Sequence, residues 1–580
     1  MHIYDQIVFT LYLLGMVGVA AVFYRRNKDL NQMFAAGGRS PWWVSGLSSY
    51  MTLFSAGTFV VWGGLAYRLG TVAITINVVS GIAALIVGFF VAAKWKEMNI
   101  STPAEYIRLR FGPFTMQYYS WMLMPIKVFS SAVALYALAA ILQPLIFSES
   151  PGYSSGTDDF YSMGSIIIIL GTIIVVYTII GGLWAVLMTD VLQFFILSVS
   201  IVFILVVAIG YVGGLPSFIE AAPINFFDFS NTEFTWYFFL GWGAIHFFST
   251  GAEWAYVQRY IAVPSKAHAR KAGLLFGILY IISPTIWLLP AMIYRVIDPD
   301  ANPEQAYILM STLILPAGMV GLVAAAMFSA TASMMSSQIN VFAGVMTEDF
   351  YRPLLRPNKS EIEYLWAGRM ATALIGGAII LIAVAIPAMG GAEKVVFSVM
   401  SLFITPLFAP ALWCIFSKRV GTEAVFITAA TTASAGLILK FGLASREKFG
   451  DSSFLGPIAE WVSHNTRHVD ILVGVVTPVV VLFLLEIYAR ATNKTSPGWE
   501  RLRARIARSS DSAAAAAADE IVPITIVLTA VASCAAIMFV LALLNQENVA
   551  GLYIMSAILV AFSGLLILVL RSKRRKESAM

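Results

Sequence analysis

The feature that most constrains this chain is a repeated one. Apolar residues fall in blocks of roughly 20, each long enough as a helix to cross about 30 Å of hydrocarbon. We read about fifteen such blocks. They lie at about 6–24, 43–66, 71–94, 114–147, 163–182, 187–212, 235–258, 271–297, 319–347, 364–389, 394–417, 422–443, 470–490, 521–545 and 551–570. Composition agrees: 59% of the 580 residues are hydrophobic and 12% are charged, against roughly 45–50% and about 25% in soluble domains. The chain therefore reads as an all-α polytopic membrane protein. A helix satisfies its own backbone in lipid, which an open strand cannot do. A soluble enzyme, a disordered chain and a fibre are excluded. Cys414 and Cys534 both lie in apolar blocks and make neither a disulfide framework nor a metal site. No A-x-A-like cleavage site follows the first block, which reads as a retained helix.

Orientation follows from the basic residues, which accumulate in cytoplasmic loops. With the N-terminus outside, 29 of the 37 Lys and Arg fall on inside segments, beginning with Arg25, Arg26, Lys28 and Arg39. The C-terminus is then cytoplasmic and the protein sits in the cell membrane. This also accounts for the basic net charge without any nucleic-acid partner, since the basic face is a membrane surface. The outside loops are acidic: Glu149, Asp158 and Asp159 near 148–160, and Glu220, Asp228 and Glu233 near 213–234. The segment 491–520 is a polar cytoplasmic linker ending in an alanine run, Ala513 to Ala518. Within it Trp499, Leu502 and Ile506 recur at helical spacing among arginines, which fits an interfacial amphipathic helix and equally a solvated linker. His464 and His468, four apart in an outside loop without a third ligand, read as solvated.

Polar and helix-breaking residues at membrane depth are tolerated only beside protein or a wet cavity. The second crossing carries Ser45, Ser48, Ser49, Thr52, Ser55, Gly57, Thr58, Gly63 and Gly64; the seventh carries Gly241, Gly243, His246, Ser249, Thr250, Gly251 and Glu253. These crossings are five apart. Five is odd, so a five-helix unit repeated once returns upside down. An inverted repeat with two interrupted first helices points to a central site in a secondary transporter. Gly and Ser also let helices pack closely, but matched positions in two halves favour the transporter.

Other polar groups refine this reading. In the ninth crossing Ser329, Ser333, Ser336 and Ser337 share one helical face. Their hydroxyls are hard ligands suited to an alkali cation. Asp190, at the start of the sixth crossing, is a carboxylate in a membrane segment and a functional candidate by that fact. Its depth matches Ser336 and Ser337, so the three could form a cation site; a carboxylate bonded to backbone amides is the alternative. Glu253, beside Trp254, could contact a solute, pair with Lys127 of the fourth crossing, or carry a proton. No HExxH, P-loop, nucleophile-elbow or kinase signature occurs, so an enzyme has no support.

At these residues the chain resembles the sodium:solute symporter family, which includes the sodium/glucose cotransporters. Four stretches carry the resemblance: MFAAGGRSPWWVSGLS (33–48), GGLWAVLMTDVLQ (181–193), GAEWAYVQRYIAVPSKAHARKAG (251–273) and AAAMFSATASMMSSQINVFAGVMTEDFY (324–351). The family implies a LeuT-like 5+5 inverted-repeat core, here at about 43–417. An extra helix and loop (1–42) precede it, and peripheral helices (418–580) with the linker 491–520 follow it. The family also implies sodium between the broken first core helix and the eighth. Its register points to the carbonyls of Met51, Phe54 and Ala330 and the hydroxyl of Ser333, with Ser55 nearby. Where members usually have a second Ser or Thr this chain has Met334, and where some have an Asp it has Leu53. A second sodium site of some members matches Asp190, Ser336 and Ser337. Glu253 falls on a substrate-contacting position, and Asn77 where sugar carriers have a polar contact. The expectation is a sodium-coupled symporter of a small polar solute. A sugar or polyol comes first, because Thr58, Asn77 and Glu253 suit hydroxyls. An amino acid or carboxylate comes second, since no core arginine is visible to hold a carboxylate. A channel or membrane sensor is the reading from another class.

Overall fold

The computed structural model describes residues 2–24, 40–100, 102–147, 157–180, 183–389, 404–439, 456–510, 521–544 and 549–578. The basic loop holding Arg25 to Arg39, the acidic residue Glu149, the alanine run and the first part of the 394–417 block lie outside them.

The described residues are nearly all helical. We number the principal helices α1 (Ile3–Tyr24), α2 (Trp42–Met51), α3 (Gly63–Leu69), α4 (Thr71–Phe90), α5 (Pro113–Phe147), α6 (Thr157–Ile180), α7 (Leu183–Tyr211), α8 (Trp236–Ala252), α9 (Trp254–Ile261), α10 (Lys266–Ile297), α11 (Met319–Val345), α12 (Glu361–Ala385), α13 (Thr405–Phe416), α14 (Thr422–Gly436), α15 (Thr477–Ala491), α16 (Pro497–Ser510), α17 (Ile521–Leu544) and α18 (Val549–Ser578). Among the described residues, 8 helices are long and apolar enough to cross a membrane by themselves. Shorter apolar helices at Ile3–Gly15, Met163–Val176, Thr405–Phe416 and Ser556–Ser572 fall on other expected blocks. The blocks at 43–66 and 235–258 are outside the set of 8 because each is interrupted: α2 and α3 are two pieces of one crossing, as are α8 and α9.

The helices sort into two groups that express the inverted repeat. The broken pair α2/α3 packs with α4, the broken pair α8/α9 and α10. These are the first two helices of each half. The third and fourth of each half, α5, α6, α11 and α12, pack on one another. α7 lies between the groups and touches α2, α10 and α11. The first group is tied by small residues. A Cβ on Gly88 of α4 would lie 2.4 Å from the carbonyl carbon of Gly273 in α10, so the two backbones are in direct contact there. The turn from α3 to α4 requires Gly70, whose φ is +60° and whose Cβ would sit 1.9 Å from the carbonyl oxygen of Phe226.

The flanking helices brace this core. Asp5 of α1 accepts hydrogen bonds from the backbone amides of Gly318 (2.7 Å) and Gly321 (2.9 Å), so a buried carboxylate caps the N-terminus of α11. α16 differs from the interfacial or solvated alternatives expected for it. Its apolar side is covered by protein: Leu502 is buried, Trp499 and Ile506 pack on the core, and Arg501 Nε donates to the carbonyl of Leu109. His468 also departs from expectation. It is half-buried, bonds Thr235 at 3.2 Å and stacks on Tyr237, whereas His464 is exposed.

Candidate solute and cation site

The first break begins after Met51, where Thr52 to Ser55 leave the helix before Ala56 resumes it. The freed backbone is met by two threonines. Thr58 Oγ1 donates to the carbonyl of Leu53 and accepts from the amide of Ser55, both at 3.1 Å. The amide of Ala56 donates at 2.9 Å to Thr331 Oγ1 of α11. This is how unwound backbone survives at membrane depth. Thr331 escaped the sequence reading because a threonine among alanines carries no signal of its own.

The second break is a single residue. Glu253 is extended (φ −65°, ψ 133°) between α8 and α9. Its Oε1 accepts a hydrogen bond and ion pair from Lys127 Nζ of α5, and its Oε2 accepts from Ser249 Oγ at 3.0 Å. Glu253 is 7% exposed and Lys127 9%. Of the alternatives left open for Glu253, pairing with Lys127 is thus present in the structure.

Both breaks face one cavity of about 170 Å³. Thr58, Lys127, Ser249, Glu253, Tyr256 and Gln338 supply its polar wall, with Ser55, His246 and Met334 beside them. The volume is below the roughly 300–1,000 Å³ of pockets for drug-sized ligands, so it suits a small solute. Two expected contacts lie elsewhere. Asn77 is buried in α4, donates from Nδ2 to the carbonyl of Ala73 one turn back (2.9 Å), and does not line the cavity. Trp254 is the first residue of α9. Once the chain has turned at Glu253, its ring stacks on Phe342 and lines a second cavity of about 300 Å³ with Arg108, Met116 and Gln258.

Next to the first break lies a carboxylate cluster. Asp190 Oδ2 accepts from Ser48 Oγ of α2 (2.6 Å) and Oδ1 from Ser333 Oγ of α11 (2.5 Å). Arg259 of α9 donates from Nε to Ser48 Oγ (3.1 Å), and its Nη2 lies 3.7 Å from Asp190 Oδ2. Asp190 and Arg259 are each 2% exposed. The expected trio therefore differs in its direct contacts. Asp190 bonds Ser333, one turn before Ser336 and Ser337 on the same helical face. Ser336 Oγ donates to the carbonyl of Ser333, and the buried hydroxyl of Ser337 has no hydrogen-bond partner among the described residues. The absence of a core arginine is also corrected. Arg259, just past the expected block at 235–258, is buried beside Asp190 because the break at Glu253 leaves a short helix inside the protein.

These donors suit an alkali cation: a carboxylate, serine hydroxyls and one unmet hydroxyl are hard oxygen ligands. At the neighbouring expected locus, the carbonyl of Met51 accepts from the amide of Phe54 (3.0 Å), and Ser333 is committed to Asp190. Ala330 is buried on α11, and Leu53, Ser55 and Met334 all line the cavity.

The family described as "SSF: Sodium:solute symporter family" matches residues 33–431. A sodium/glucose cotransporter of Vibrio parahaemolyticus is 25% identical over 477 residues, covering 75% of this chain and 85% of that protein. The sodium/sialic acid symporter NanT of Aliivibrio fischeri is 28% identical over 387 residues, covering 63% and 73%. Among solved structures, a Na+-coupled sialic acid symporter in a substrate-bound outward-open state superposes with a TM-score of 0.62 at 20% identity, covering 82% of this chain and 98% of that one. At that identity the likeness shows the fold.

Proposed function

The chain belongs to the sodium:solute symporter family, and we propose that it imports one small polar organic solute with sodium by alternating access across the cell membrane. Sodium is the coupling ion and the protein is a multi-pass membrane transporter rather than an enzyme. The observation that carries the proposal is the meeting of both helix breaks on one small polar cavity, with a buried carboxylate cluster beside it.

Sodium is assigned two loci. Asp190, Ser333, Ser336 and Ser337 supply one; the carbonyls of Met51, Phe54 and Ala330, helped by Ser55, supply the other. In the structure Arg259 shares Asp190, so a cation arriving there competes with the guanidinium and loosens a cluster joining α2, α7, α9 and α11. Such a cluster is a means of coupling ion binding to movement of the broken helices against the scaffold. The driving force is the sodium gradient plus about 2.3 kcal/mol per charge for each 100 mV of membrane potential.

The solute binds between Thr58 of the first break and Glu253 of the second. The sugar or polyol expectation loses Asn77, which does not line the cavity, and keeps Thr58 and Glu253. We also assign an extracytoplasmic N-terminus and a cytoplasmic C-terminus, on the distribution of the basic residues. Uptake by proteoliposomes tests the function. Saturable accumulation that needs an inward sodium gradient is expected, and uptake that is linear in solute and indifferent to sodium would replace a carrier by a channel.

A further inference from the structure

The Lys127–Glu253 pair narrows the solute, given the symport reading on which this step rests. We propose that the solute is a small zwitterion, with an ammonium and a carboxylate on one carbon or on neighbouring ones, and that it sets those charges against Glu253 and Lys127.

A purely structural ion pair is buried among side chains that close over it. This one lines open volume, and both partners face the same cavity. The pair is nonetheless almost wholly removed from bulk solvent, at 9% and 7% exposure. Charges so placed are costly unless each keeps a partner. That condition discriminates between solutes. A lone carboxylate recruits Lys127 and strips Glu253 of its counter-charge, leaving it only Ser249. A lone ammonium does the reverse. A polyol adds no charge, so the pair stays shut and keeps its strongest donor and acceptor from the solute. A zwitterion alone lets every charge keep an opposite neighbour, in an alternating square of ammonium, carboxylate, ammonium and carboxylate.

The rest of the wall fits the same solute. Trp62, Phe129, Val133 and Ala134 supply an apolar side for a short carbon chain, and Gln338 and Tyr256 add donors and acceptors. The placement of the two charges also gives the solute a mechanical role. Lys127 belongs to α5 of the scaffold group and Glu253 to the break between α8 and α9 of the other group. A solute held by both bridges the parts that alternating access moves.

The test uses the full-length protein in detergent and in proteoliposomes. Glycine, L-alanine, L-serine and L-proline are compared with their N-acetyl and amide derivatives, with glucose and myo-inositol, and with lactate and pyruvate. Thermal stabilisation is read in sodium and in potassium, and counterflow is measured for any solute that stabilises. The expected result is sodium-dependent binding of at least one zwitterion. Blocking either of its charges, or making Glu253→Gln or Lys127→Met, should weaken that binding roughly ten- to a hundred-fold, the scale of a hydrogen bond to a charged group. Should a single variant fail to fold, the double variant Lys127→Met/Glu253→Gln, which buries no unpaired charge, takes its place. It should keep its melting temperature and lose the zwitterion. Sodium-dependent binding of a polyol or a monocarboxylate with no response to any zwitterion overturns this inference and leaves the symporter standing. So does a zwitterion whose affinity the double variant retains. Silence from all three classes in sodium counts against both readings together.

Discussion

The two broken helices answer the same physical problem in different ways. Around Thr52–Ser55 the first opens several residues, and neutral hydroxyls meet the freed backbone: Thr58 from its own chain and Thr331 from α11. The second opens only at Glu253, whose amide still reaches Ser249 at 2.8 Å, so little backbone needs repair. What it presents instead is charge, in the pair with Lys127. The first break offers unwound carbonyls and hydroxyls, the chemistry of an alkali-cation site. The second offers a carboxylate and an ammonium, the chemistry of an organic solute. Asp190 joins the two breaks by bonding Ser48 of one broken helix beside Arg259 of the other.

The largest effect should come from breaking that joint. Asp190→Asn removes the buried counter-charge of Arg259. Stranding one member of a buried pair typically costs about 3–5 kcal/mol, so a clear fall in melting temperature is expected along with loss of sodium-stimulated uptake. Retained sodium affinity in a folded Asp190→Asn protein would take the carboxylate out of the cation site. A double-mutant cycle on the second break should give a comparable number. Lys127→Met alone leaves Glu253 buried without its partner and should cost several kcal/mol by the same reasoning, while adding Glu253→Gln should return most of it. Additive losses, measured by thermal or denaturant unfolding, would mean that the two side chains do not act as a pair.

The first break predicts a smaller penalty, because it is held by neutral bonds. Thr331→Val keeps the shape of the side chain and leaves the amide of Ala56 unmet, at a cost of about 1–3 kcal/mol. Thr331→Ser should be close to neutral. If valine and serine behave alike in unfolding measurements, the bond between Thr331 and the break contributes nothing to stability.

The division between the breaks was partly legible in the sequence. The count of apolar blocks, the two interrupted crossings five apart and the polar face of Ser329, Ser333, Ser336 and Ser337 all follow from period and composition. Azimuth did not follow. A crossing's membership says that Asn77 and Trp254 lie near the central helices, but each residue turns a helix by about 100°, and both side chains point away from the cavity. Depth was good to about one turn, which is why Asp190 was matched to Ser336 and Ser337 and bonds Ser333 instead. Arg259 was hidden by the rule used for orientation. Counting basic residues assigns every arginine near a helix end to the surface, and a helix broken at Glu253 ends inside the protein.

The smallest effect concerns two positions at the expected sodium locus beside the first break. Met334 and Leu53 stand where oxygen ligands are expected, and both line the cavity. A thioether and an isobutyl group give a hard cation nothing to bind. The α11 hydroxyl expected at this locus, Ser333, is committed to Asp190. If the carbonyls of Met51, Phe54 and Ala330 hold sodium with Ser55 alone to help, the shell is short of oxygen. Met334→Ser should then tighten apparent sodium affinity a few-fold in uptake measured across a sodium titration, with the solute's own affinity changed less. It should also make the sodium dependence less sensitive to Asp190→Asn, since a second locus would then carry more of the binding. Unchanged or looser sodium affinity in Met334→Ser would mean that Ser55 and backbone carbonyls already complete the shell, or that no ion binds at this locus.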